Sequence, residues 1–209
     1  MSTLNVDKVD PSTGTALEIG SSGDTITIPS GATIVNSGTA TGFGGGATQS
    51  STWYVTAEYT PSADNEIISG WAESNAPGYN RLGTSPTESS DVFTMPATGW
   101  YWVTLNLSTL QATVASDTYS GAIHLSTDTG SNWEPVVVGF NRHIATAVGG
   151  DGRTNTIMSI VKVTNTTTDL IRFWSGGIKI ANTNILGGTQ DTEGGINSTT
   201  GTFTKLADI

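Results

Sequence analysis

Phe93-Thr-Met-Pro-Ala-Thr-Gly99-Trp-Tyr101-Trp-Val103-Thr-Leu105-Asn-Leu107 joins a Pro/Gly turn to a long alternating run. Successive residues of a strand point to opposite faces. Tyr101, Val103, Leu105 and Leu107 therefore share one face, and Trp100, Trp102, Thr104 and Asn106 share the other. The first face predicts a core. A sandwich strand normally turns a polar face to water, so Trp100 and Trp102 predict that the second face meets another subunit. The competing reading is that one Trp covers a loop of its own chain.

The rest of the chain supports β structure. Only 12% of the 209 residues are charged, while Gly reaches 26. Polarity comes from Ser, Thr, Asn and Gly, all poor helix formers. No sustained 3.6-residue apolar stripe emerges. Short runs of Val, Ile, Thr and aromatics alternate with Gly/Asn/Asp/Ser clusters, which reads as all-β. Candidate strands are Thr52–Glu58, Val92–Met95, Trp100–Ser108, Ser120–Ser126, Glu134–Phe140, Thr156–Val163, Leu170–Trp174, Ile178–Ala181 and Thr202–Leu206. Asp128-Thr-Gly130-Ser131 is a hairpin signal, and Thr164–Asp169 is expected to separate two strands in the same manner.

Eight Lys plus Arg against eighteen Asp plus Glu give a net charge of −10. Nucleic-acid binding needs a basic track, so this balance argues against it. It argues equally against charge-driven adhesion to anionic lipid. There is no cysteine, which removes disulfides, thiolate metal sites and a thiol nucleophile. The amino end lacks a signal-peptide pattern and no run reaches membrane-spanning length, so neither export nor membrane insertion is expected. The sequons at Asn106, Asn165 and Asn197 carry little meaning without a secretory address.

Composition divides the chain. Residues 1–41 are a ladder of short apolar pairs, Leu4/Val6, Leu17/Ile19, Ile26/Ile28 and Ile34/Val35, split by turn formers and without aromatics. Such strands cannot bury a face alone. The segment either orders only on binding or intertwines with further copies; the regular i, i+2 spacing favours the second. Residues 42–46, Gly-Phe-Gly-Gly-Gly, read as a glycine hinge. Residues 47–209 read as one two-sheet sandwich or jelly-roll head.

Phe93, Gly99 and Tyr101 stand at the spacing of the globular head of the C1q and tumour-necrosis-factor-like superfamily, which this region resembles. Val103 and Leu105 occupy positions where that family carries aromatics, and the upstream half of its pattern is not evident. The order Ile157–Val163, polar turn, Leu170–Trp174 is similar to the paired strands before that family's last loop, and Gly201–Leu206 to its closing strand. The resemblance spans roughly Trp53 to Ile209. It implies a ten-strand jelly roll that forms a homotrimer with its inner sheet packed on its neighbours, giving Trp100 and Trp102 an interface role.

The amino-terminal ladder resembles the start of bacteriophage virion fibres. Together the two resemblances imply a trimeric phage fibre, on tail, neck or capsid, assembled in a host cytoplasm and carried on the virion. Residues 1–41, including Leu4, Val6, Val9, Leu17 and Ile19, would attach to other virion proteins. The C1q-like head would project outward.

The search for chemistry gives no enzyme signature. His124 sits in an alternating strand and His143 in a loop-like region, without metal-ligand spacing. Asp64/Glu66, Asp128 and Asp151 lack a calcium-loop rhythm. Some C1q-like trimers hold calcium near the axis, so the resemblance leaves a weak ion site open without assigning residues; no cofactor is expected. No elbow frames a nucleophilic Ser, and the scattered acids do not define a glycosidase pair.

For binding, residues 70–81 place Trp71, Asn75, Tyr79, Asn80 and Arg81 in one loop, a mixture suited to sugars. Equally, Trp71 and Tyr79 lie buried beneath it. Residues 141–155 gather Arg142, His143 and Arg153, a basic loop that meets anionic glycans or pairs with neighbouring acids. Residues 182–201 read as an exposed or interfacial loop. The head is expected to bind a bacterial surface glycan or protein during host attachment; the alternative is a purely architectural decoration or connector.

Overall fold

A computed structural model describes residues 19, 22–33, 46–74, 81–111, 117–143, 151–177, 183–188 and 199–209. The chain divides into two compact units, Met1–Phe43 and Gly44–Ile209. In the first, Ala32 N–H donates to Pro29 O across a turn, and Ile19, Ile26 and Ile28 are exposed. No strand occurs among its described residues.

The second unit is built of β-strands, with no helix among the described residues: β1 Gln49–Val55, β2 Asn65–Ile67, β3 Trp71–Glu73, β4 Thr87–Ser89, β5 Val92–Thr94, β6 Gly99–Gln111, β7 Asp117–Ser126, β8 Glu134–His143, β9 Asp151–Val163, β10 Leu170–Gly176, β11 Thr183–Ile185 and β12 Thr200–Ala207. They form two six-stranded antiparallel sheets. In the first sheet β9 follows one side of β6 along its whole length, Gly99↔Val163 to Gln111↔Asp151. On the other side β12 pairs with the first part of β6 and β11 with its last three residues; β1 and β3 lie beyond β12. The second sheet runs β4-β5-β10-β7-β8, with β2 also on β10.

Eight of the nine expected strands occur with shifted ends; Ile178–Ala181 lies outside the described residues. Twelve strands occur among the described residues, against the ten implied by the family resemblance. Four of them, β2, β3, β4 and β11, match no expected strand; each has three residues, too few to display a period of two. Two loop assignments are corrected. Within 141–155, Asn141–His143 end β8 and Asp151–Asn155 begin β9; within 182–201, Thr183–Ile185 pair with β6.

The alternation of β6 appears as expected. Tyr101, Val103, Leu105 and Leu107 are fully buried while Trp100 and Trp102 face out. Inside, Phe93 touches four rings, Trp53, Trp71, Phe173 and Phe203, with centroids 4.8–5.7 Å away. These rings come from both sheets and fasten them together. Gly201 makes this possible, because a Cβ there would lie 2.4 Å from the Phe173 ring. Gly99 adopts φ +150°, and a Cβ there would meet Ala207 O and Lys205 Cε at 2.5 Å. The Tyr101 hydroxyl donates to Ala97 O at 2.8 Å, which ties the turn to the strand. The spacing that suggested the family is thus a packing arrangement: ring, turn and crowded glycine.

The segment Thr164–Asp169 is corrected from hairpin to arch, since β9 belongs to the first sheet and β10 to the second. Asp169 holds it. Its buried carboxylate accepts from Thr164 N–H (2.7 Å), Thr164 Oγ1 (2.8 Å), Asn165 N–H (3.1 Å) and Thr168 Oγ1 (2.9 Å). Burial is the largest single influence and raises its pKa, but these bonds together outweigh it and hold the carboxyl below its ordinary range. In the β7–β8 hairpin, Asp128 is lowered to about 2, chiefly by the Asn132 backbone N–H and then by the Asn132 and Ser126 side chains.

Both folded pKa values lie below the unfolded value of about 3.9. Their contribution is therefore present above about pH 4 and lost as pH falls toward 2. The thermal midpoint of the native protein is expected to drop across that window. Asp169→Asn should melt lower at pH 7 yet show a shallower acid decline; an unchanged acid slope would remove Asp169 from this role.

Candidate functional site

The outer face of the first sheet is apolar where β6 meets β9. Trp100 retains 40% and Trp102 38% of its surface exposed, and Met158 and Ile160 on β9 are also exposed. The register places Trp102 opposite Ile160 and Thr104 opposite Met158. Lys162 stands opposite Trp100, its Nζ 5.4 Å from the ring centroid. Exposed Leu206 occupies the β12 bulge beside Trp100. The Trp102 indole N–H donates to Thr104 Oγ1 at 3.0 Å, fixing its ring along the strand.

Around this centre the face becomes polar. Thr156 Oγ1 donates to Asn106 Oδ1 at 2.7 Å, and Asn106 Nδ2 donates to Thr200 Oγ1 at 3.2 Å. Hydroxyl pairs Thr52–Thr202 and Ser50–Thr204 continue the polar side across β12 and β1. An apolar centre with a hydrogen-bonded rim is the anatomy of a protein–protein contact.

Trp71 of the expected sugar loop does not face outward. Trp71 is only 7% exposed, packs on Phe93 and Phe173, and donates its indole N–H to Ile68 O at 2.7 Å. It is therefore corrected to a core residue. Arg81 is exposed and pairs with Glu73 at 3.5 Å. Asn75, Tyr79 and Asn80 lie outside the described residues, as do Leu4, Val6, Val9 and Leu17.

The basic loop is likewise corrected at His143. It is buried on the inward face of β8, stacked on Tyr119 at 4.8 Å, with Nε2 2.9 Å from Thr109 Oγ1. Arg142 is exposed on the opposite face of β8, and Arg153 lies on β9 opposite Thr109. The structure thus does not bring His143 to a surface with the two arginines.

Glu66 and Asp128, two of the carboxylates considered as oxygen donors, serve turns. Glu66 Oε2 accepts from Ser62 N–H, Ser62 Oγ and Ala63 N–H at 2.6–2.9 Å. Among the described residues, no group of three His, Cys, Asp or Glu is placed to hold a metal.

An unanticipated cluster lies on the outer side of the second sheet. His124 stacks on Trp174 at 5.5 Å and 23°, and the Arg172 guanidinium lies 4.2 Å from the Trp133 ring centroid. Burial first, and then the nearby Arg172 charge, lower the His124 pKa; burial also lowers that of Arg172. Its sequence signal was weak, because the cluster draws on two strands and one loop tip.

No protein-family model matches the chain, and no curated protein matches it by sequence. Solved structures do. Murine APRIL at pH 5.0 matches with a TM-score of 0.50 at 12% identity, covering 76% of this chain and 99% of that one. Eiger TNF from S. frugiperda matches with a TM-score of 0.50 at 12% identity, covering 78% and 95%. At such identity the likeness establishes the fold alone: a tumour-necrosis-factor/C1q-like jelly-roll sandwich.

Proposed function

We propose that this chain is a non-enzymatic structural subunit of a bacteriophage virion, a homotrimeric fibre whose head faces the host surface. Residues 1–41 attach it to other virion proteins, and the outer face of the first sheet is the subunit contact. One observation carries the assembly: the exposed Trp100, Trp102, Met158 and Ile160 form one apolar centre on a face otherwise lined with hydroxyls and amides. Large contiguous apolar exposure on a soluble chain marks an interaction site. The phage assignment is supported by the rhythm of the amino-terminal segment, and the host-surface role by the outward-projecting head that it implies.

Light scattering of the purified chain should give three times the chain mass, and a stable monomer with intact β-sheet dichroism would overturn the assembly. Gold-labelled antibody to the head should decorate finished virions, whereas antibody to residues 1–41 should bind the free chain and not the virion; virions unlabelled by both would overturn the virion assignment. The burial of Trp71 favours a second reading, an architectural decoration without receptor. Whole-cell binding by the chain separates the two, since a decoration would bind no host surface.

A further inference from the structure

The second sheet carries a flat aromatic platform. Ile171 and Phe173 of β10 point into the core, so Arg172, Trp174 and Gly176 alternate outward. A Cβ on Gly176 would lie 2.1 Å from Trp174 Cη2 and 2.4 Å from Cζ3. The indole is therefore laid along its own strand over the bare glycine backbone. His124, opposite Arg172, stacks on one part of the indole, and Asn65 Oδ1 lies 3.0 Å from the same Gly176 point, so its amide borders the other end. Val138 and Phe140 of β8 continue the row across Ala122 and Ser120, with Phe140 71% exposed.

Arg172 is the unusual member. Exposed Arg81 has Glu73, and Lys205 has Asp208. Arg172 has no ion pair or hydrogen bond among the described residues; it faces the Trp133 ring and neutral or cationic His124. A half-buried guanidinium without a counter-charge is costly, and its planar fork matches a carboxylate. A flat indole offers its π-face to the apolar side of a ring, and the Asn65 amide offers a donor and an acceptor to hydroxyls.

We infer that this platform binds an acidic sugar, its ring on Trp174, its carboxylate at Arg172 and a hydroxyl at Asn65. This deepens the recognition half of the proposed function and is independent of the assembly half. The full chain is titrated with tri-galacturonate, with its methyl ester and with inorganic phosphate, by calorimetry and tryptophan fluorescence. Tri-galacturonate should bind saturably, and the uncharged ester at least tenfold more weakly. Arg172→Gln should reduce tri-galacturonate affinity at least tenfold, to the level of the ester. Trp174→Ala should abolish binding of both sugars with circular dichroism unchanged; should it misfold, Arg172→Gln and Asn65→Ala still decide. Absence of binding to the native protein, or unchanged affinity in Arg172→Gln, overturns the inference. Phosphate binding as tightly as tri-galacturonate would overturn the sugar and leave a bare anion site. A trimer that fails to bind sugar refutes this inference alone, and a sugar-binding monomer refutes the assembly alone.

Discussion

Trp102→Glu is expected to convert a three-chain particle into single chains without loss of β-sheet signal. Trp102 keeps 38% of its surface exposed in the isolated chain. For a side chain of roughly 150–250 Å² this leaves about 60–95 Å² to cover, worth about 2 kcal/mol at about 25 cal/mol per Å². Replacing it removes that gain in each contact and adds the larger cost of burying a carboxylate opposite Ile160. The sum exceeds about 4 kcal/mol per contact, or roughly a thousandfold in dissociation constant. Sedimentation or light scattering at micromolar concentration reads this directly. Thr87→Glu, on exposed β4 of the other sheet, should leave the mass unchanged. An unaltered trimer in Trp102→Glu would move the contact elsewhere.

The long strands were legible because a period of two persists for many residues. Residues 99–107 of β6 and 152–163 of β9 alternate in burial without a break. The three-residue strands cannot show any period, and their pairing is decided by the sheet they meet. Hairpin and arch also look alike in sequence: Ser126–Glu134 returns within one sheet, whereas Val163–Leu170 crosses to the other. Only the sheets that the flanking strands join reveal the difference.

His143 was misplaced for a recoverable reason. Counting by twos from half-buried Val137 through Gly139 and Asn141 leads to His143 on the inward face, so extending the strand by three residues would have found it. Trp71 gave no such signal, because its strand has only three residues. The Trp174 platform depended on a residue two positions along and on two neighbouring strands. Such a surface exists only after pairing has occurred.

Phe93→Ala should produce the largest loss of intrinsic stability in the head. Phe93 has no exposed surface and contacts Trp53, Trp71, Phe173 and Phe203 at 5.3, 5.7, 5.5 and 4.8 Å. Truncation removes the transfer energy of the ring and leaves a cavity that rigid aromatic walls from two sheets cannot close. Such substitutions cost about 3–5 kcal/mol, against a total of about 5–15 kcal/mol for a domain.

Because assembly would mask part of this loss by mass action, the measurement belongs in the Trp102→Glu background, where the chain is monomeric. Urea unfolding should show a lower midpoint with an unchanged slope. Phe93→Leu, which keeps most of the volume, should fall between the two. A loss below about 1 kcal/mol, the ordinary scale of a surface substitution, would mean that Phe93 does not fasten the sheets. The two substitutions then test the two faces of the opening stretch separately: Trp102→Glu reads how many chains associate, and Phe93→Ala whether each chain folds.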